Sequence, residues 1–351
     1  MLQASRSSNR SHPDRETLVK IAILDDYQGV ATELADWHSV SDVTVVPFRD
    51  HVDEERELVA RLQGYDGVMR IRERTAFTRS VIEGLPELKL ILATGMRNAR
   101  SLDLAAADEH GITVCATDVH HTTTVEVVWL MLLALFRGYR QENELLRSGG
   151  WQWGLGRSLA GKTLGIVGLG KMGQPVACIA GGFGMNVIAW SPNLTPERTA
   201  PLGVECVTKE ELFRRADAVT IHMPDTDATR GIVGANEIAL MKPTAFLINT
   251  ARPALVDEAA LVDALTTNRI AGAGIDVFET EPLPRTSVYR SLQNVIATPH
   301  IGFVTRENYE IFFQQSLENL KAYLAGAPIR VLTPDKPFLD SSPMAGEAYQ
   351  A

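Results

Sequence analysis

From residue 164 to residue 173 the chain reads Leu-Gly-Ile-Val-Gly-Leu-Gly-Lys-Met-Gly, which sets Gly168, Gly170 and Gly173 in a GxGxxG spacing. An apolar β-branched run precedes the first glycine and a helical pattern follows the third, which is the context in which this spacing carries meaning. The first glycine permits a tight turn. The second lets the backbone come close to a pyrophosphate, and the third lets the helix pack against the strand. The start of that helix offers unpaired N–H groups and a positive dipole end to an anion. A glycine-rich turn by itself needs no ligand. Framed by a strand and a helix, it predicts a dinucleotide-binding unit.

The rest of the chain fits such a unit. From residue 163 on, short apolar runs recur at Thr163 to Gly168, Asn186 to Trp190, Ala218 to Met223, Ala245 to Thr250, Gly272 to Val277 and Asn294 to Ala297. Helical windows lie between them at Met172 to Ala180, Lys209 to Ala216 and Glu258 to Thr266. Six strands separated by helices is the count of a doubly wound parallel sheet. An earlier series (Lys20 to Asp25, Val43 to Phe48, Gly67 to Ile71, Leu88 to Thr94, Ile112 to Ala116) predicts a second parallel sheet. One long helix is expected from Thr123 to Arg147, ended by Gly149 and Gly150, and another from Thr305 to Leu324. Trp151 and Trp153 are expected to pack at a domain hinge. Asp25 and Asp26, at the end of the first strand, read as a crevice edge or a cap.

The chain has 351 residues, about two domains at roughly 150 residues each. Its net charge of −9 argues against a nucleic-acid binder and against a polybasic membrane anchor. The longest apolar run, Val127 to Phe136, is about half a membrane span, so a buried helix is expected there. The polar stretch up to about Glu16 lacks the apolar core of a secretory signal and reads as a loose tail, as does the end from about Pro334. Cys115, Cys178 and Cys206 are scattered, with neither a disulfide framework nor a metal-ligand spacing, which points to the cytoplasm and to no metal.

Ligands of open α/β sheets bind beyond the carboxyl ends of the strands. Three such ends carry ionisable groups: Arg252 after Leu247 to Thr250, Asp276 and Glu281 after Gly272 to Ile275, and His300 after Asn294 to Thr298. Each alone could be a surface or turn residue. Together they suit hydride chemistry on a hydroxy acid. A histidine takes the hydroxyl proton as hydride leaves the same carbon. A carboxylate on the other ring nitrogen fixes the tautomer, and an arginine fork holds the substrate carboxylate. An NAD site usually has an acid at the tip of the second strand for the ribose. Here that tip is Ser191, with Arg198 the nearest arginine, so NAD and NADP both remain open.

These stretches resemble the D-isomer-specific 2-hydroxyacid dehydrogenase family. The matching segments are residues 161–173, Met241-Lys-Pro, Ile248-Asn-Thr-Ala-Arg252, Val256-Asp-Glu258, residues 275–283 and Thr298-Pro-His-Ile-Gly302, in family order. The resemblance implies a catalytic set of Arg252, Glu281 and His300. It implies cofactor contacts at Lys171, Met172, Ser191, Thr250 and Ala251 beside the three glycines, and Asp276 on the nicotinamide amide. It implies substrate contacts at Gly95, Arg97 and Arg252, and a homodimer formed through the helix after Thr123. It further implies a flavodoxin-like substrate domain built from residues 1–121 and 305–351, and a Rossmann dinucleotide-binding domain at 122–304. The sequence departs from the family at Pro253, Phe303 and Gly95-Met-Arg-Asn-Ala99, which leaves the substrate open. The expected activity is NAD(P)-dependent interconversion of a D-2-hydroxy acid and its 2-oxo acid, of the glyoxylate/hydroxypyruvate reductase or phosphoglycerate dehydrogenase kind. The alternative is a dinucleotide-sensing corepressor with little turnover.

Overall fold

The computed structural model describes residues 18–96, 101–120 and 122–339. The expected loose tails lie largely outside these residues. Among the described residues the chain forms two compact units, one from residues 18–119 and 310–339, the other from residues 120–309. The second crossing therefore falls inside the helix Arg306–Leu324.

The first unit opens with strands β1 (Val19–Ile23), β2 (Val43–Pro47), β3 (Gly67–Arg70), β4 (Leu90–Ala93) and β5 (Thr113–Ala116). The second carries β6 (Thr163–Val167), β7 (Asn186–Trp190), β8 (Glu205–Cys206), β9 (Ala218–Ile221), β10 (Phe246–Asn249), β11 (Gly272–Ile275) and β12 (Val295–Ala297), after which β13 (Val331–Leu332) returns to the first. The first sheet runs β13-β5-β4-β3-β1-β2 and the second β12-β11-β10-β9-β6-β7-β8. Both are doubly wound α/β sheets of the expected kind, the second with the strand order of a dinucleotide-binding domain. Among the described strands β13 alone is antiparallel, paired with β5 through Val331–Cys115 and Leu332–Val114.

Strand alternation sends side chains of the second sheet to both faces. Leu164, Ile166 and Ile248 pack with the helices Thr122–Arg137 and Gly173–Gly182. Val167, Val219 and Leu247 pack with the helices Lys209–Arg215 and Glu258–Thr266. The apolar run at 127–136 belongs to that core, with Val128, Met131 and Leu132 fully buried. No single helix among the described residues is long and apolar enough to cross a membrane.

The expected single helix over 123–147 is two helices, Thr122–Arg137 and Tyr139–Arg147, bent by 68°. The break is at Gly138, whose φ of +60° lies in the left-handed region and cannot continue a helix. Trp151 and Trp153 are 77% and 61% exposed rather than packed at a hinge. Asp26 accepts the N–H groups of Val30 and Ala31 at 3.0 and 3.2 Å, which confirms the cap reading for that residue.

Candidate active site

The strands β10, β11 and β12 are neighbours and parallel, so their carboxyl ends lie side by side. Arg252 follows the first, Asp276 and Glu281 the second, and His300 the third. These four predicted residues are thus brought to the carboxyl end of one sheet by the pairing of three strands.

His300 and Glu281 are in contact: His300 Nδ1 and Glu281 Oε2 are 2.7 Å apart. The other oxygen, Oε1, accepts the Phe278 N–H at 2.9 Å, which fixes the carboxylate. A carboxylate on Nδ1 leaves Nε2 as the ring atom facing outward chemistry and stabilises an imidazolium. The His300 ring stacks edge-on to Phe303 at 5.3 Å, so Phe303 walls the imidazole. His300 has φ +53°, a left-handed conformation that side chains rarely adopt without support.

That support is Asp276. It is fully buried, and its Oδ1 accepts the Thr298 hydroxyl at 2.6 Å and the Ile301 N–H at 2.8 Å. Its Oδ2 accepts the Gly302 N–H at 2.8 Å. Both carboxylate oxygens therefore brace the loop on either side of His300. Burial holds the Asp276 carboxyl above the usual carboxylate range, against the opposing pull of Thr298, His300 and the Ile301 and Gly302 N–H groups.

Arg252 leaves β10 in extended backbone, with Pro253 opening the following turn. Asn249 shapes this corner: its side chain donates to the Arg252 carbonyl at 2.8 Å and accepts the Ala251 N–H at 3.0 Å. Thr250 and Ala251 lie between them, and the buried Thr250 hydroxyl finds no hydrogen-bond partner among the protein atoms.

The glycine turn follows β6, two strands from β10 in the same sheet. Gly168 has φ +97°, and a Cβ there would lie 2.7 Å from the His222 carbonyl oxygen. A Cβ on Gly173 would overlap the Gly168 carbonyl oxygen. Gly170 differs: nothing lies within 4 Å of a Cβ placed on it. The protein's own packing demands the first and third glycines, whereas the second keeps open a space that no protein atom uses. Such a gap at the start of the helix Gly173–Gly182 fits a dinucleotide pyrophosphate. Lys171 and Met172 complete the turn, with Met172 packed on the core beneath.

Ser191 directly follows β7, the second strand of the second sheet in chain order. Arg198 donates to the Asn193 carbonyl at 3.1 Å, so its guanidinium sits beside the same loop. Two residues escaped the sequence reading. His222 follows β9 and bonds the Thr220 hydroxyl at 3.0 Å, and burial pushes its imidazole down to about 4. Arg72, in the first unit, fills the space beside Gly95, where any Cβ would overlap its Nη1. The strand-end rule that found His300 points to both. Arg97 lies outside the described residues.

Residues 129–302 match the family model for the "D-isomer specific 2-hydroxyacid dehydrogenase, NAD binding domain". The D-3-phosphoglycerate dehydrogenase of Methanocaldococcus jannaschii is 40% identical over 276 residues, 78% of this chain and 52% of that protein. The glyoxylate reductase of Thermococcus litoralis is 40% identical over 260 residues, 71% of this chain and 77% of that protein. A crystal structure of a phosphoglycerate oxidoreductase from Vibrio cholerae has a TM-score of 0.84 at 37% identity, covering 88% of this chain and 100% of that one. The chain spans about half the length of the phosphoglycerate dehydrogenases it matches. By sequence and by fold, it belongs to the D-isomer specific 2-hydroxyacid dehydrogenase family.

Proposed function

We propose that the protein is an NAD(P)-dependent oxidoreductase that interconverts a D-2-hydroxy acid and its 2-oxo acid. The observation that carries this reading is the Glu281–His300 pair, on the segments that follow β11 and β12, next in the sheet to the β10 that delivers Arg252, in the sheet that also holds the glycine cradle.

Gly168, Gly170, Lys171, Met172 and Gly173 would hold the pyrophosphate, Ser191 the ribose, and Thr250 with Ala251 the nicotinamide side. When bound, the dinucleotide supplies the redox chemistry, giving or taking a hydride at the substrate C2. His300 Nε2 gives a proton to the C2 oxygen in the reductive direction and takes it back in the oxidative one. Glu281 holds the ring in the tautomer that makes this possible and offsets its positive charge. Arg252 clamps the substrate carboxylate with a two-pronged hydrogen bond. Asp276, which the family resemblance places at the nicotinamide amide, has both oxygens on the 298–302 loop, and we assign it to hold His300 in place.

We assign dinucleotide binding to residues 122–304 and substrate contacts to the domain of residues 1–121 and 305–351, through Gly95, Arg97 and the neighbouring Arg72. The substrate is a small 2-oxo acid of the kind reduced by glyoxylate or hydroxypyruvate reductases, or its phosphorylated counterpart. A homodimer would cover the apolar residues exposed along the bent helix pair and the segment after it, among them Leu130, Tyr139, Leu146, Trp153 and Leu155. Three free cysteines suit a reducing cytoplasm.

The test is a panel of 2-oxo acids, each assayed with NADH and with NADPH. Turnover of at least one is expected. Tight NADH binding without turnover of any of them would replace this reading with a sensing role.

A further inference from the structure

The first unit contains a second charged cluster, on the segments that follow β1, β2 and β3, that the reaction above does not use. Asp25 follows β1 with its side chain almost wholly buried and a left-handed φ of +58°. Its Oδ1 lies 2.8 Å from His51 Nδ1, and its Oδ2 accepts the Thr75 hydroxyl at 2.6 Å. Its carbonyl accepts Arg74 Nη1 at 2.8 Å. His51 Nε2 lies 3.2 Å from Asp53 Oδ1, so each ring nitrogen meets a carboxylate. From the other side, the buried Arg70 donates Nε and Nη2 to the Thr75 carbonyl at 3.1 and 2.8 Å.

Thr75 is thus gripped at its hydroxyl by Asp25 and at its carbonyl by Arg70. The loop between β3 and Thr75 carries Arg72, at φ +54°. The Arg72 N–H donates to the Thr94 hydroxyl at 2.8 Å, and its guanidinium occupies the notch that Gly95 leaves open. Two left-handed non-glycine residues at one sheet edge persist only when surrounding contacts determine them, and such strain gathers at ligand sites.

We propose that Asp25 and His51 are positioning residues that lock the 71–75 loop so that Arg72 stays seated beside Gly95, and that they set the affinity for the 2-oxo acid. The inference rests on the proposed reading that this unit contacts substrate. The hydrogen bond that His51 donates to Asp25, together with the Asp25 and Asp53 charges, raises the His51 imidazole above its ordinary 6.5 against the cost of its burial. Asp50, on the same loop, and Arg74, at the Asp25 carbonyl, are the other charged groups nearby. A histidine whose value is raised in the fold lends its support at low pH and withdraws it as pH rises through that raised value. The KM for the oxo acid should therefore climb as pH rises through that raised value.

The experiment measures steady-state kinetics and NADH binding by fluorescence for the full chain and for Asp25→Asn and His51→Gln, from about pH 6 to pH 9. For Asp25→Asn, KM for the oxo acid should rise by about tenfold or more, with kcat and the NADH Kd within about twofold, because misplacing a binding group costs substrate binding before it costs chemistry. For His51→Gln, which keeps a neutral donor, the rise should be smaller and the climb of KM with pH flattened. If Asp25→Asn fails to fold, the flattened pH response of a normally melting His51→Gln protein decides the matter. Unchanged KM in both variants, loss confined to kcat, an equal loss of NADH affinity, or a wild-type pH response in His51→Gln overturns the proposal. A wild-type enzyme that turns over no oxo acid overturns the parent reading and this one with it, whereas turnover with KM unmoved overturns this one alone.

Discussion

Gly170 and Gly173 stand three residues apart in one motif, yet the same substitution should do opposite things to them. A Cβ on Gly173 overlaps the Gly168 carbonyl oxygen and comes 3.1 Å from Ile166 Cγ2. The first contact is main chain, fixed by the turn after β6, so it cannot yield as a flexible side chain would. Overpacking of this kind costs about 1–3 kcal/mol. At about 2–4 °C per kcal/mol for a domain of this size, Gly173→Ala should lower Tm by roughly 2–12 °C. A Cβ on Gly170 meets no atom within 4 Å, and the residue is not in the left-handed region. Gly170→Ala should therefore change stability by less than about 1 kcal/mol. The methyl instead enters the space we assign to the pyrophosphate, and NADH affinity should fall by at least about tenfold, or 1.4 kcal/mol. Calorimetry with and without NADH reads both effects. Ligand at 100 times its Kd adds about 2.7 kcal/mol to stability, and a tenfold weaker Kd removes roughly half of that. A Gly170→Ala protein with the wild-type NADH-induced rise in Tm would refute the reasoning. So would one destabilised as much as Gly173→Ala.

His300→Ala should lower kcat by roughly 10²–10⁴, the span of one general acid–base group, with NADH binding retained in a fluorescence titration. Glu281→Gln keeps the shape and removes the charge that steadies the imidazolium, so stopped assays should show a kcat loss approaching that of His300→Ala. Asp276→Asn sets an NH2 group against a backbone or hydroxyl donor at the loop, a conflict of about 1–3 kcal/mol. It should reduce kcat with little change in NADH Kd, whereas a selective loss of NADH affinity would return the residue to the cofactor. Ser191→Asp should shift preference toward NADH by at least about tenfold in the ratio of kcat/KM values, because the carboxylate accepts from a ribose hydroxyl and repels a phosphate. An unmoved ratio would show that residue 191 is not at the ribose.

What was legible in the sequence had a period or a punctuation mark. Long apolar strands such as β6 and β10 stood out, as did the glycine spacing after β6 and the helix Glu258–Thr266 behind its Asp257 cap. Arg252, Asp276 and His300 could be picked out because each stands just past the point where an apolar run and its strand end, whereas Glu281 lies six residues beyond β11 and stood out as the acid that a histidine there would need. β8 and β13 are two residues each, too short for any periodicity, and exist only because a neighbouring strand pairs with them. The bend at Gly138 was hidden because the amphipathic pattern of Tyr139–Arg147 continues past it, and only the backbone angle reveals the break. The Asp25–His51–Thr75 cluster joins residues 26 and 50 positions apart, a meeting that pairing of the strands decides and local sequence does not record.

The antiparallel strand β13 has a consequence for how the molecule is made. It closes the edge of a sheet whose other five strands lie before residue 119, and Leu332 and Asn319 are buried against them, the latter donating to the Ala116 carbonyl at 2.8 Å. A ribosome must therefore add all of residues 120–309 before the first sheet can be finished. At translation rates of 5–20 residues per second that interval is roughly 10–40 s. Throughout it β5 is a bare edge, with unpaired main-chain groups and apolar side chains that invite mispairing. The second unit, encoded without interruption, is free to fold while the first waits. Chaperone demand during synthesis should accordingly centre on Thr113–Ala116, and a circular permutant that begins near residue 310 should shed it.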